Sequence, residues 1–163
     1  MPKIRKIQKI NCPTFYKHPG QNLDVWRCRL SGDTDGGTIY YLQVPNTPGC
    51  TVEAKDFSEY KSKFDALGAK IIGVSPDSEK SHCKFINKYD LSIQLLSDPE
   101  QEVCEAYKVW QLKKFMGKEY MGVVRSTFLI TPDARLAYIW SNVRTSCHVE
   151  KVFSKLQELL AIA

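Results

Sequence analysis

Tyr41-Leu42-Gln43-Val44-Pro45-Asn46-Thr47-Pro48-Gly49-Cys50-Thr51-Val52-Glu53 is the stretch whose reading decides the fold. It begins at the end of Thr38 to Leu42, a β-branched and aromatic run suited to a buried strand. Two prolines and a glycine then mark a tight turn, and Cys50 stands where a helical period begins. Phe57, Tyr60, Phe64 and Leu67 fall on one helical face, Lys55, Glu59, Lys61 and Lys63 lie largely off it, and Gly68 ends the helix. A cysteine delivered by a strand to the first turn of a helix meets unpaired backbone N–H groups and the positive end of the helix dipole, which favour a thiolate.

Strand and helix alternate downstream of this stretch. Lys70 to Ser75 reads as a second core strand, and Asp77 as the cap of a helix that turns Phe85, Ile86 and Tyr89 inward. Ile93 to Leu96 reads as a further strand. Asp98-Pro99-Glu100-Gln101 then supplies a cap, a first-turn proline and a capping-box partner for a helix to about Tyr107. Gln111 to Tyr120 is basic, lacks a clear period, and reads as a surface crossing. Val123 to Ile130 and Arg135 to Trp140 flank Thr131-Pro132-Asp133-Ala134, a type I turn signature, and so predict an antiparallel hairpin. Val149, Val152, Phe153, Leu156, Leu159 and Leu160 form the apolar stripe of a final helix.

Upstream, Asn11 to Phe15 is extended, since the residue before a proline avoids helical geometry. His18-Pro19-Gly20 is a turn, Leu23 to Leu30 a strand with Trp26, Cys28 and Leu30 on one face, and Asp33 to Gly37 a loop. These elements predict an α/β fold, a central mixed β-sheet flanked by helices. With no repeat or linker to divide it, the chain of 163 residues reads as one domain, 1–163.

Hydrophobic residues make up 43% and charged residues 25%, the balance of a globular protein. No apolar run reaches membrane-spanning length, and the charges threaded through Met1 to Ile10 argue against a secretory signal, so a cytoplasmic location is expected. The six cysteines are then expected to be reduced, and none is spaced Cys-x-x-Cys as in a zinc ribbon or dithiol motif; no metal and no cofactor are predicted. The net charge of +5 is concentrated at the amino end, where residues 1–30 hold seven Lys/Arg against Asp24 alone. Without interleaved aromatics or a helix-turn-helix pattern, this reads as solvated surface, with no nucleic-acid or membrane partner.

Three further residues bear on the chemistry of Cys50. Gly49 permits close backbone approach, Thr47 offers a hydroxyl from the same turn, and Arg125 precedes Ser126-Thr127-Phe128 at the mouth of a core strand. An arginine in such apolar surroundings needs an acceptor. The plain alternative is that Cys50 is a small packing residue and Arg125 a surface charge; spacing alone leaves both readings open.

Several segments together resemble the peroxiredoxins, and within them the PrxQ or bacterioferritin comigratory protein subfamily. They are Thr47-Pro48-Gly49-Cys50-Thr51-Val52-Glu53-Ala54 with Phe57, Gly73-Val74-Ser75-Pro76-Asp77-Ser78 with Ser81-His82, Leu95-Leu96-Ser97-Asp98, and Gly122 with Arg125-Ser126-Thr127-Phe128. The resemblance runs from about Tyr40 to the last helix. Residues 1–39 diverge, although Cys12-Pro13-Thr14-Phe15 is similar to the family's Ala-Pro-x-Phe segment. The resemblance implies a thioredoxin-type fold and thiol-dependent reduction of hydrogen peroxide and organic hydroperoxides through a cysteine sulfenic acid. It makes Cys50 the peroxidatic cysteine, Thr47 the orienting hydroxyl, Arg125 the activating arginine, and Pro48 and Gly49 part of the substrate pocket.

The chain departs from the family pattern at two places. Gln43 stands where the family usually has a proline seven residues before the peroxidatic cysteine, and Pro45 follows instead. Lys55 stands where many PrxQ proteins carry a resolving cysteine; the subfamily's other position aligns near Ile86, and Cys83 lies one turn before it as a possible resolving residue. Cys104 reads as packing, Cys12 and Cys28 lie in the divergent region, and Cys147-His148 replaces a Gly-His as a structural substitution. The expected mechanism is therefore one-cysteine, with thioredoxin, glutaredoxin or glutathione as the external reductant. A monomer is expected, with a dimer as the alternative. A peroxide sensor or redox-regulated holdase on the same scaffold is the competing function.

Overall fold

Residues 13–17, 25–30, 38–42, 48–130 and 136–162 are described by the computed structural model, with side chains from residue 48 onward. In chain order the elements are β1 (Pro13–Lys17), β2 (Val25–Leu30), β3 (Thr38–Leu42), α1 (Pro48–Ala66), β4 (Lys70–Ser75), α2 (Glu79–Tyr89), β5 (Gln94–Ser97), α3 (Glu102–Ala106), β6 (Trp110–Phe115), β7 (Lys118–Val123), β8 (Ser126–Ile130), β9 (Leu136–Ser141) and α4 (His148–Ile162). Seven strands make one sheet in the order β1-β2-β5-β4-β3-β8-β9. Crossover helices α1 and α2 force β3, β4 and β5 to run parallel, with Ile39 opposite Ile71 and Val74 opposite Leu96. β2 is parallel to β5, whereas β8 pairs antiparallel with both β3 and β9. This is the mixed, helix-flanked sheet that the sequence predicts.

The central strands are apolar because both their faces are covered. Every residue of β8 is buried, as are residues 71–75 of β4. Successive residues serve opposite sides: Ile71, Leu95 and Leu129 join Phe57, Phe64, Ile86 and Val152 under α1, α2 and α4. Ile72, Leu96 and Phe128 join Val103, Val109 and Val123 on the other face. α1 and α4 are joined by aromatic contacts, with Phe153 at 5.3 Å from Phe64 and 5.9 Å from Tyr60 between ring centroids. Full burial of one such ring contributes roughly 1.5–3 kcal/mol.

α1 ends as its sequence predicts. Gly68 adopts φ +74°, its N–H donates to Asp65 O, and the Ala69 N–H donates to Phe64 O, the two bonds of a Schellman cap. Its start is two residues earlier than expected, at Pro48. α2 is capped by Ser78, whose hydroxyl accepts from Ser81 N, while Asp77 instead accepts from the Ser75 hydroxyl. At α3 the expected first-turn proline and capping box are absent. Gln101 is the N-cap, in the left-handed region, without a side-chain cap bond, and Asp98 reaches in from further back to accept from Val103 N and Cys104 N.

Two hairpin expectations are corrected. Residues 111–120 are not a surface crossing: β6 and β7 pair antiparallel through a tight turn in which Met116 (φ 48°) and Gly117 (φ 76°) are both left-handed, as a type I′ turn requires. Val123 belongs to β7, so the strand expected from Val123 to Ile130 begins only at Ser126. The turn predicted at 131–134 lies outside the described residues, as do those at 18–20 and 33–37. Among the described residues no helix is long and apolar enough to cross a membrane.

Candidate active site

Leu42, the last residue of β3, is the register partner of Ser126, the first of β8. That pairing places Arg125 at the end of β3 from which the chain continues to α1, although 75 residues separate it from Cys50. The backbone of Arg125 is fixed by its carbonyl, which accepts from Val143 N at 2.9 Å. Its Nη2 donates toward Cys50 Sγ at 3.6 Å, and its Nε lies 3.4 Å from Glu53 Oε2.

Cys50 is the third residue of α1 and only 2% exposed. Gly49 is what lets the guanidinium approach, for a Cβ built there would lie 2.5 Å from Nη1 and 2.8 Å from Nη2. Pro48 is exposed at the start of the helix. Gln43, Pro45 and Thr47 lie outside the described residues, so Thr47 is not placed relative to the sulfur.

Glu53 is the residue that sequence reasoning missed. One turn below Cys50, it is fully buried with Ala54 and Phe57 on the inner face of α1, and neither carboxylate oxygen makes a hydrogen bond. Burial pushes its pKa up to about 8; the neighbouring Arg125 opposes that rise and Asp56 adds to it. The contact has the distance of an ion pair, but desolvation outweighs the arginine's attraction, so near neutral pH the carboxyl is held mostly as the acid. The available signal was position: an acid three residues after the cysteine falls on the apolar face.

Two histidines lie deeper in the fold. His148 shares a 2.8 Å hydrogen bond with the Thr127 hydroxyl and meets Phe57 and Trp140 edge-on, with ring centroids 6.4 and 5.8 Å away. Burial, then the charges of Lys151 and Arg125, lower its pKa to about 4. His82 Nε2 lies 2.6 Å from Ser75 Oγ, and that hydroxyl donates to Asp77 Oδ2, so the imidazole hydrogen sits on Nε2. Burial lowers the His82 pKa to about 4 as well.

The cysteines with described side chains are Cys50, Cys83, Cys104 and Cys147, and no disulfide joins any two of them. Cys104 is fully buried in the core, and Cys147 is exposed just before α4. Cys83 is half-buried on α2 against the core, and burial and then Glu79 raise its pKa. Near the other end of α2, Tyr89 hydrogen-bonds Thr51 of α1 and lies under Lys55 Nζ at 5.0 Å.

The arrangement joins a buried thiol, a cation at its sulfur and a close-approach glycine. Residues 28–139 match the AhpC/TSA family. Over 121 residues the chain is 46% identical to Peroxiredoxin Bcp of Bacillus subtilis, covering 74% of this chain and 77% of that protein. The structure is similar to that of the Xanthomonas campestris bacterioferritin comigratory protein, whose alkyl peroxide reduction activity was the subject of its study. The TM-score is 0.73 at 36% identity, covering 77% of this chain and 80% of the other. It is also similar to a cysteine-to-serine mutant of Xylella fastidiosa PrxQ, with a TM-score of 0.77 at 30% identity over 94% of this chain and 99% of that one.

Proposed function

The chain belongs to the AhpC/TSA family as a peroxiredoxin, and from that premise we propose that Cys50 is its peroxidatic thiol and Arg125 the cation that serves it. Peroxiredoxins are thiol peroxidases of thioredoxin-type fold, and peroxides and a thiol reductant are accordingly the partners of this enzyme. The observation that carries the residue assignment is the 3.6 Å approach of Arg125 Nη2 to Cys50 Sγ across Gly49.

The Cys50 thiolate attacks the nearer oxygen of hydrogen peroxide or an organic hydroperoxide. An S–O bond forms as the O–O bond breaks, and the departing oxygen takes up a proton to leave as water or an alcohol. Arg125 stabilises the charge that develops on that oxygen, together with the amides of the first turn of α1 and the hydroxyl of Thr47. Pro48 and Gly49 border the peroxide. The product is Cys50 sulfenic acid.

An external thiol then displaces the sulfenic oxygen as water, and a second thiol releases Cys50 from the mixed disulfide. Lys55 at the family's common resolving position supports this one-cysteine route. The test is peroxide consumption with a thiol donor, alongside trapping of the oxidised sulfur with dimedone. Wild type is expected to turn over and to trap at Cys50, and Cys50→Ser to do neither. Unchanged consumption by Cys50→Ser sinks the assignment, and a dominant Cys50–Cys83 disulfide sinks the one-cysteine route.

A further inference from the structure

The β6–β7 hairpin carries five of the nine exposed large hydrophobic side chains among the described residues: Leu112, Phe115, Met116, Tyr120 and Met121. Met116, at the turn, is 86% exposed and Phe115 beside it 66%. The ribbon divides them, with Phe115 and Tyr120 on one face beside Lys113 and Lys118, Leu112 and Met121 on the other beside Lys114 and Glu119, and Met116 at the tip, so the outer end of the hairpin is an apolar and basic projection of the kind that marks an interaction surface. The rungs toward the turn are basic as well, with Lys113 opposite Tyr120, Lys114 opposite Glu119, and Phe115 opposite Lys118.

The hairpin is rooted beside the site. Val123 ends β7 buried in the core, Val124 N donates to Val109 O at 2.8 Å, and Arg125 is the next residue. Lys113 Nζ binds Val123 O at 3.2 Å and braces the base. The base of the hairpin is therefore continuous with the segment that holds Arg125 at Cys50.

We propose that the β6–β7 hairpin is the docking surface for a protein thiol donor, a thioredoxin-type dithiol protein whose reactive cysteine is surrounded by apolar and acidic side chains. The proposal rests on the one-cysteine reading above. Cys50 is 2% exposed, so a donor gains from a surface that positions it and holds it during attack. One donor thiolate attacks the Cys50 sulfenic sulfur, forming an S–S bond as the S–O bond breaks and the oxygen leaves as water. The donor's second thiol then attacks the donor sulfur of that mixed disulfide, Cys50 departs as a thiolate, and the donor is left oxidised. A small apolar surface with a charged rim suits a partner that must leave after each turnover.

Two other occupants fit less well. A two-fold contact between copies of this hairpin brings the lysines of one toward those of the other. Insertion into lipid beyond the tip buries the Lys114–Glu119 rung, which lies between Phe115 and the Leu112–Met121 rung.

The test compares donors. Peroxide turnover is measured with reduced thioredoxin, regenerated by its reductase and NADPH, and separately with dithiothreitol, for wild type, Phe115→Ser/Met116→Ser and Lys114→Glu/Lys118→Glu. The expected result is at least a tenfold rise in KM for thioredoxin in both variants, with dithiothreitol-supported rates within twofold of wild type. The proposal is overturned if neither variant changes the KM for thioredoxin, if both donors lose equally, or if wild type uses dithiothreitol but not thioredoxin. It is also overturned if sedimentation shows a wild-type dimer that the variants dissociate, or if wild type pelleted with anionic vesicles while the variants did not. A wild type inactive with both donors overturns the one-cysteine reading itself and takes the docking proposal with it.

Discussion

Two buried polar clusters, on α1 and on α2, are built on opposite plans. Around Ser75 the hydrogen bonds are short and dense: its hydroxyl accepts from Asp77 N and from His82 Nε2 and donates to Asp77 Oδ2, while the Ser97 hydroxyl donates to Asp77 O, and His82 Nδ1 alone is left without a partner among the described residues. Around Cys50 the contacts are longer, at 3.6 and 3.4 Å, and the Glu53 oxygens make no hydrogen bond. A densely bonded cluster fixes the position of a helix relative to a sheet. One built on a charged guanidinium at longer range sets a cation beside the sulfur, where charge develops during reaction.

Substitution should separate the two. The largest effect is expected for Arg125→Gln, which should lower the second-order rate with peroxide by about two to three orders of magnitude. Stopped-flow consumption measures it, and a rate within threefold of wild type would place Arg125 with the structural cluster. Gly49→Ala should come next, with about a tenfold loss or more in rate, because a Cβ displaces the mobile end of Arg125 rather than backbone. Its thermal midpoint should barely move; a large drop there would mean that the glycine serves folding instead.

Ser75→Ala should reverse the pattern. Left without its partner, buried His82 should cost about 1–3 kcal/mol of stability in urea titrations, while the rate per folded molecule stays within a few-fold. A selective loss of rate would contradict the comparison. The two clusters also differ in pH dependence, where they have opposite signs. His82, lowered to about 4, stays neutral in the fold while the unfolded chain takes up a proton near 6.5, so its contribution falls as pH drops from 6.5 toward 4. Glu53, raised to about 8, keeps a proton that the unfolded chain loses near 4.5, so its contribution falls as pH rises from 4.5 toward 8. Glu53→Gln should remove the alkaline decline and leave the acid one; if the alkaline decline persists, another group is responsible.

How much of this was legible varied with the physics. β4 could be read to the residue because a strand buried on both faces is a continuous apolar run, and β3 follows the β-branched and aromatic run from Thr38 to Leu42. The α1 cap was legible because Gly68 takes a left-handed conformation there. The β6–β7 hairpin was not, since Trp110-Gln111-Leu112-Lys113-Lys114-Phe115 has no alternation to read when most of both faces is solvated. The cap of α2 misled because the Asp77 carboxylate accepts from Ser75 instead, whereas Asp98 does reach the first-turn amides of α3, but from three residues before the N-cap, Gln101. Spacing alone left Cys50 and Arg125 open to a packing reading; their contact depends on the pairing of β3 with β8, which no local pattern encodes. Glu53 was hidden by residue type, since a helical glutamate ordinarily faces water.

The position of Cys50 within α1 also limits how far its oxidation can be felt. Phe57 and Phe64 anchor the lower turns of this 19-residue helix in the core, whereas only Pro48 and Gly49 precede the cysteine. A rearrangement that presents the sulfur to a large partner can be confined to the opening turn, where a few peptide hydrogen bonds at about 0.5–1.5 kcal/mol each are at stake. Fraying of one helix tip on that scale is within reach of a partner's binding energy, and it leaves the turns anchored by Phe57 and Phe64 as a passive support.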